Sequence, residues 1–215
     1  MRGGRILLTL YITRHGETVW NTQKRLQGWK DSELTENGRT NALLLGKRLK
    51  EVDFDAIYTS PSGRTISTTN LIKGEREIPV FLNDNLREIN LGDWEGQTLS
   101  DIENKYPNEY YAYWNTPHVY KPINGESFED LKKRVLEAIH SIQKKHSTGN
   151  VLIVTHSVAI KILLASFKNE PIEKLWGPPF IHDTSLTIVE LNGNERNIVL
   201  EGDISHREMV MQKEK

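Results

Sequence analysis

The alternation of apolar and polar positions divides the chain into strand-like runs and helical stripes that follow one another in turn. Ile6 to Thr13 is β-rich and mostly apolar, the pattern of a strand covered on both faces. Thr35 is placed to cap a helix whose apolar face carries Ala42, Leu45, Leu49 and Val52. A short strand, Ala56 to Thr59, runs into Ser60-Pro61, which predicts a helix with Ser60 as its cap and Pro61 in its first turn. Pro79 to Leu82 reads as another short strand. A long helix is predicted from Ser127, with Asp130 three residues on and Phe128, Leu131, Val135, Ala138 and Ile142 as its buried stripe. Val151 to Thr155 is a buried strand feeding a helix over Val158 to Phe167. Thr184 to Leu191 and Ile198 to Ile204 close the pattern as two strands joined around Asn192-Gly193-Asn194. This alternation predicts an α/β fold, a three-layer α/β/α sandwich with a mostly parallel central sheet.

One stretch breaks the rhythm. Five of the seven tyrosines (Tyr106, Tyr110, Tyr111, Tyr113, Tyr120) and Trp114 crowd into fifteen residues. The predicted organisation is therefore one domain over residues 1–215 with an inserted, mostly helical cap at about 93–124. Most of these aromatics are expected to form the cap's own core, with one or two facing a ligand.

Composition narrows the function. The 215 residues suffice for a large core and a cleft, and 28 basic against 29 acidic residues leave a net charge of −1. That balance argues against nucleic acid or an anionic membrane as partner. Cysteine is absent, which removes disulfides, thiolate metal sites and Cys nucleophiles. The N-terminal MRGGRILLTLYIT has the charge of a signal peptide, but Thr9 and Thr13 interrupt it and it offers no small-residue cleavage site. A cytoplasmic protein with no membrane segment is the expectation.

In an open α/β sheet, ligands bind beyond the carboxyl ends of the strands. Arg14 and His15 follow the first predicted strand, Arg64 follows the second by one helical turn, and His156 follows Val151 to Thr155. Glu88 comes shortly after the third. Arginine's planar fork matches phosphate oxygens, and Arg64 is placed in the first turn of a helix, where N–H groups favour an anion. A neutral imidazole among such cations can attack phosphorus. Glu88 can protonate the leaving oxygen, provided burial or neighbouring carboxylates keep it protonated. A protonated His156 would stabilise the equatorial oxygens.

Arg14-His15-Gly16-Glu17-Thr18-Val19-Trp20-Asn21 resembles the opening motif of the histidine phosphatase superfamily, the phosphoglycerate mutase-like fold. The resemblance continues through Leu26-Gln27-Gly28, Leu34-Thr35-Glu36-Asn37-Gly38 and Tyr58-Thr59-Ser60-Pro61-Ser62-Gly63-Arg64. It extends to Leu86-Arg87-Glu88-Ile89, Gly92-Asp93-Trp94-Glu95-Gly96, Gly125-Glu126-Ser127 and Val154-Thr155-His156. It implies His15 as nucleophile, Glu88 as acid/base, and Arg14, Arg64 and His156 as the phosphate pocket, with Asn21 adding a hydrogen bond. Gln27, Gly28 and Ser157 complete the expected substrate-binding set. Ser157 stands where the family usually has glycine, which puts the local backbone in question.

The resemblance implies a phosphatase acting through phosphohistidine, of broad specificity and without a metal, closest to the compact phosphatases of bacilli. The alternatives are a phosphoglycerate mutase, which would bring bisphosphoglycerate as cofactor, and a ribazole-phosphate phosphatase. The family's mutases tend to be longer, with added basic residues, whereas this cap is aromatic and suits apolar leaving groups. Two other classes compete: a zinc hydrolase using His15, His156 and Glu88, disfavoured by the adjacent arginines, and a non-catalytic phospho-ligand module. His118, His140, His146 and His206 read as surface or core residues, and contact of His182 with substrate is left open. Lys132-Lys133-Arg134 reads as the solvated face of the long helix, and Arg87, beside Glu88, is left out of the catalytic set. Oligomeric state is not legible.

Overall fold

The computed structural model describes residues 7–210, so Ile6, the predicted start of the first strand, lies outside the described residues. Strand β1 (Leu8–Arg14) is followed by a single helical turn, α1 (Val19–Thr22), and by α2 (Glu36–Arg48). Then come β2 (Ala56–Thr59), α3 (Gly63–Lys73) and β3 (Val80–Leu82). Residues 93–124 hold α4 (Leu99–Lys105), α5 (Pro107–Asn115) and short 3-10 turns. The chain returns through α6 (Phe128–Lys145), β4 (Gly149–Thr155), α7 (Ser157–Phe167), β5 (Leu186–Asn192) and β6 (Glu195–Asp203).

The six strands form one sheet in the order β3-β2-β4-β1-β5-β6. β1, β2, β3 and β4 are mutually parallel, while β5 runs antiparallel to β1 and β6 antiparallel to β5. Alternation along the strands assigns the two faces. Leu10, Ile12, Val151 and Ile153 pack with α6 and α7. Leu152 and Val154 pack with Ala42, Leu45 and Leu49 of α2 and Ile72 of α3. Helices therefore cover both faces, as the alternation predicts. The cap's Ile102, Trp94, Tyr113 and Tyr120 continue the α6–α7 core, with Tyr106, Tyr110 and Trp114 packed half-buried against it and Tyr111 exposed.

Three helix starts show why the chain folds locally as it does. Ser127 and Asp130 form a reciprocal cap on α6, and Thr35 accepts from the Gly38 N–H at the start of α2. The start of α3 differs from expectation. Ser60 and Pro61 lie before the helix, Ser62 occupies the cap position, and its side chain makes no capping bond. Ser60 Oγ is 2.8 Å from His156 Nε2, and the Arg64 N–H that a cap would satisfy is aimed at the Asp31 carboxylate, 3.3 Å away. A side chain 33 residues upstream takes the place of the local cap.

Candidate active site

Parallel pairing sets the carboxyl ends of β1, β2 and β4 side by side. His15 N–H donates to Thr155 O and Ser60 N–H to Val154 O, extending the ladder past the last strand residues. Thr155 Oγ1 donates to Leu86 O at 2.6 Å and so draws in the segment that ends at Glu88. Arg64 then enters from the first turn of α3. Arg14, His15, Asn21, Gln27, Gly28, Arg64, Glu88 and Ser157 all line one cavity of about 580 Å3. His156 lies immediately behind this lining, fully buried, its ring 5.3 Å from that of His15.

The hydrogen bonds define both imidazoles. His15 Nδ1 is 2.8 Å from Gly16 O, and a carbonyl only accepts, so Nδ1 holds the proton and Nε2 the lone pair. Burial, with the Arg64 and Arg14 guanidinium groups beside it, holds His15 well below the usual imidazole range. His156 Nδ1 accepts from Arg64 at 3.1 Å, which leaves Nε2–H to donate to Ser60 Oγ. His156 is therefore neutral and engaged at both nitrogens, so the condition set from the sequence for its stabilising charge, a protonated ring, is not met here. Burial is the main cause, reinforced by Arg64, His15, Arg14 and Arg134.

Arg64 is held in place from the side. Its terminal nitrogens donate to Gly28 O (2.8 Å), Lys30 O (2.7 Å), Asp31 Oδ1 (2.9 Å) and His156. Gly28 can turn its carbonyl inward because it adopts a φ of +53°, a conformation costly for other residues. Arg14 donates to Ile181 O at 2.9 Å. Both arginines keep a buried Nε–H with no protein acceptor, and Gln27 Oε1 is likewise buried and unpaired among the described residues. Unsatisfied buried donors on two cations in one cavity fit an anionic ligand.

Glu88 is buried at the amino end of α7. Its carboxylate accepts from the N–H groups of Ile89 (3.0 Å), Val158 (3.2 Å) and Ala159 (3.3 Å), and from Ser157 Oγ (3.3 Å). These contacts are all donors, so of the two conditions the sequence left open, burial or neighbouring carboxylates, the structure supplies burial. Ser157 has an ordinary helical backbone, which answers the question its departure from glycine raised; its hydroxyl meets Glu88. Asn21 Oδ1 accepts from Thr18 N–H and Oγ1 in the cap of α1, and its Nδ2 makes no bond to the described residues.

Several functional positions are not legible in the sequence. Arg134, expected on a solvated face, is half-buried and bonds Glu126 and the backbone around Glu88. Trp29 Nε1 donates to Glu88 O at 2.8 Å, and Arg87 lies over the Trp29 ring. Arg25 and Lys161 line the cavity, as do Tyr113 and Trp114 of the cap and Trp176, whose ring packs against both. His182 is exposed, meets Phe180 edge to face and is not part of the lining. His118 and His140 are exposed, His146 bonds Tyr58, and His206 is buried against Thr184. Among the described residues no three His, Asp or Glu side chains are grouped as metal ligands. Nor is any helix there long and apolar enough to cross a membrane.

Comparison with known proteins places the chain in a family. Residues 10–204 match the histidine phosphatase superfamily, branch 1. The chain is 28% identical over 199 residues to phosphoserine phosphatase 1 of Hydrogenobacter thermophilus, covering 93% of each. It is 34% identical over 163 residues to a 2,3-bisphosphoglycerate-dependent phosphoglycerate mutase of Bartonella bacilliformis, covering 73% of this chain and 79% of that one. Among solved structures, Bacillus stearothermophilus YhfR superimposes with a TM-score of 0.91 at 50% identity, covering 93% of this chain and 98% of that one. The match runs from the first strand to the last and through every segment that carries the site, so this chain belongs to the histidine phosphatase superfamily.

Proposed function

We propose that the chain is a broad-specificity phosphatase that hydrolyses small phosphate monoesters through a phosphohistidine on His15, without a metal. The observation that carries this reading is the tautomer of His15. Its proton is held on Nδ1 by Gly16 O, its Nε2 keeps a lone pair, and two arginines share its cavity. The arginine donors hold the phosphate oxygens while Nε2 bonds to phosphorus and the ester P–O bond breaks. The leaving oxygen takes a proton from Glu88. Water then gives a proton back to Glu88, its oxygen bonds to phosphorus, and the P–N bond breaks.

The apolar wall formed by Tyr113, Trp114, Trp176 and Phe180 supports acceptance of aryl and other apolar leaving groups. Mutase activity is the second reading. It is favoured by Arg25 and Lys161, two cations that reach the cavity from outside the aromatic cap and suit a carboxylate-bearing substrate.

A phosphate-release screen over aryl, sugar, nucleotide and amino-acid monoesters, with and without bisphosphoglycerate, tests both. Phosphate release from aryl esters, unaffected by a strong chelator, is expected. His15→Ala should abolish both turnover and acid-labile phosphate on the protein, whereas a mere binding module would keep its affinity and show neither. Faster isomerisation of phosphoglycerate than release of phosphate would favour the mutase. Loss of activity to the chelator would overturn metal independence.

A further inference from the structure

Arg134 projects from α6 and spends every one of its five N–H donors on fixed acceptors. Nε donates to Glu126 Oε1 and one terminal nitrogen to Glu126 Oε2, each at 2.7 Å, a two-point ion pair. The remaining donors go to the main chain: Asn85 O at 3.2 Å, Arg87 O at 2.7 Å and Glu88 O at 2.7 Å. Glu126 extends the grip, since its Oε2 accepts from Asn90 N–H at 2.8 Å and its own N–H donates to Asn90 O. With Trp29 Nε1 on the same Glu88 carbonyl, that oxygen accepts two donors from opposite elements. The backbone on both sides of Glu88 is thus bolted to α6.

A fully committed guanidinium has no donor left for phosphate, so Arg134 acts on chemistry only through what it holds. We propose that the Arg134–Glu126 pair is a positioning device for the acid, aligning Glu88 with the ester oxygen. This rests on the assignment of Glu88 as the proton donor. Its consequence is selective. An ester with a good leaving group needs little protonation as its P–O bond breaks, whereas an alkyl ester needs it in full. The pair therefore sets how far the enzyme extends from aryl to alkyl phosphates.

The test measures kcat/KM, which reports formation of the phosphohistidine, on 4-nitrophenyl, phenyl and alkyl phosphates for wild type, Arg134→Gln, Arg134→Lys, Glu126→Gln and Glu88→Gln. Arg134→Gln should lose about 10²-fold on the alkyl ester and about threefold or less on the 4-nitrophenyl ester, mainly in kcat. Arg134→Lys keeps the charge without the fork and should not rescue. Glu126→Gln should show the same selectivity more weakly, and it decides the matter if the Arg134 variants fail to fold. Equal losses across all esters in the folded variants, with Glu88→Gln still selective, would overturn the positioning role alone. Equal losses in Glu88→Gln would instead overturn the assignment of the acid.

Discussion

At the scale of single residues, Arg64, the arginine proposed to bind phosphate, depends on a neighbour that does not line the cavity. Arg64 has 1% of its side chain exposed, and the one carboxylate bonded to it is Asp31, itself 39% exposed. Asp31 also accepts the N–H of Arg64 at the start of α3, so one carboxylate neutralises the charge and caps the helix. Removing a partner from a buried charge costs more than the pair itself is worth. Because Asp31 is partly hydrated, Asp31→Ala is expected to cost about 1–3 kcal/mol of stability, read from urea unfolding. The same variant should weaken competitive inhibition by inorganic phosphate, because Arg64 loses its alignment. Asp31→Asn keeps the acceptor and should fall between. An Asp31→Ala enzyme as stable and as phosphate-sensitive as wild type would remove Asp31 from the site.

At the scale of elements, the loop after β1 and the start of α2 approach each other backbone to backbone. A Cβ on Gly38 would lie 2.2 Å from Glu17 O, and one on Gly16 would lie 2.6 Å from Gly38 O. Glu17 O also accepts the Thr35 N–H, so the contact is a built junction between the loop that carries His15 and the start of α2. Gly38→Ala cannot be accommodated by a side-chain shift, since the obstacle is main chain. It should destabilise by about 1–3 kcal/mol and displace His15 enough to lower kcat/KM by about 10²-fold. Thermal unfolding and steady-state kinetics read the two effects, and an active variant of normal stability would refute the junction. Sequence patterning anticipates the elements that meet here, because β1 and α2 announce themselves through local periodicity. It does not anticipate that glycine is demanded by contact between them.

At the scale of the whole molecule, pH sensitivity follows from where the histidines lie. Burial, with Arg48 and Arg207 nearby, pulls His206 from 6.5 down to about 4, and burial with the site arginines holds His15 and His156 well below 6.5. All three are neutral when folded and bind protons below pH 6.5 when unfolded. The unfolded state therefore holds more protons, and stability falls as pH drops from 6.5 towards 4, by at most about 1.4 kcal/mol per pH unit for each. The urea midpoint should hold above pH 7 and decline through that window, and His206→Gln should flatten the decline. An unchanged slope would remove His206 from the cause. The same shift on His15 keeps its nucleophilic form available under mildly acidic conditions, so the acid limb of kcat/KM should lie below pH 6.5.

What the sequence determines is what repeats over a few residues or sits in a contiguous motif. Leu10 and Ile12 in β1, the stripe of α6 and the Ser127–Asp130 cap are short-range features, and periodicity carries them. The order of strand ends brings Arg14, His15, Arg64, Glu88 and His156 into one cluster, and their motifs are readable in line. Tertiary structure alone decides the partners. Asp31 meets Arg64 across 33 residues, and Arg134 meets Glu88 across 46. The Ser60 hydroxyl goes to His156, 96 residues away, so α3 starts later than its local signal predicts. The charge state of His156 and the role of Arg134 follow from those pairings. Helix periodicity places Arg134 beside two lysines as if all three faced water, but it carries no record of which loop packs over that turn. A fork with five donors goes wherever folding has gathered carbonyls, and only the folded chain shows where they are.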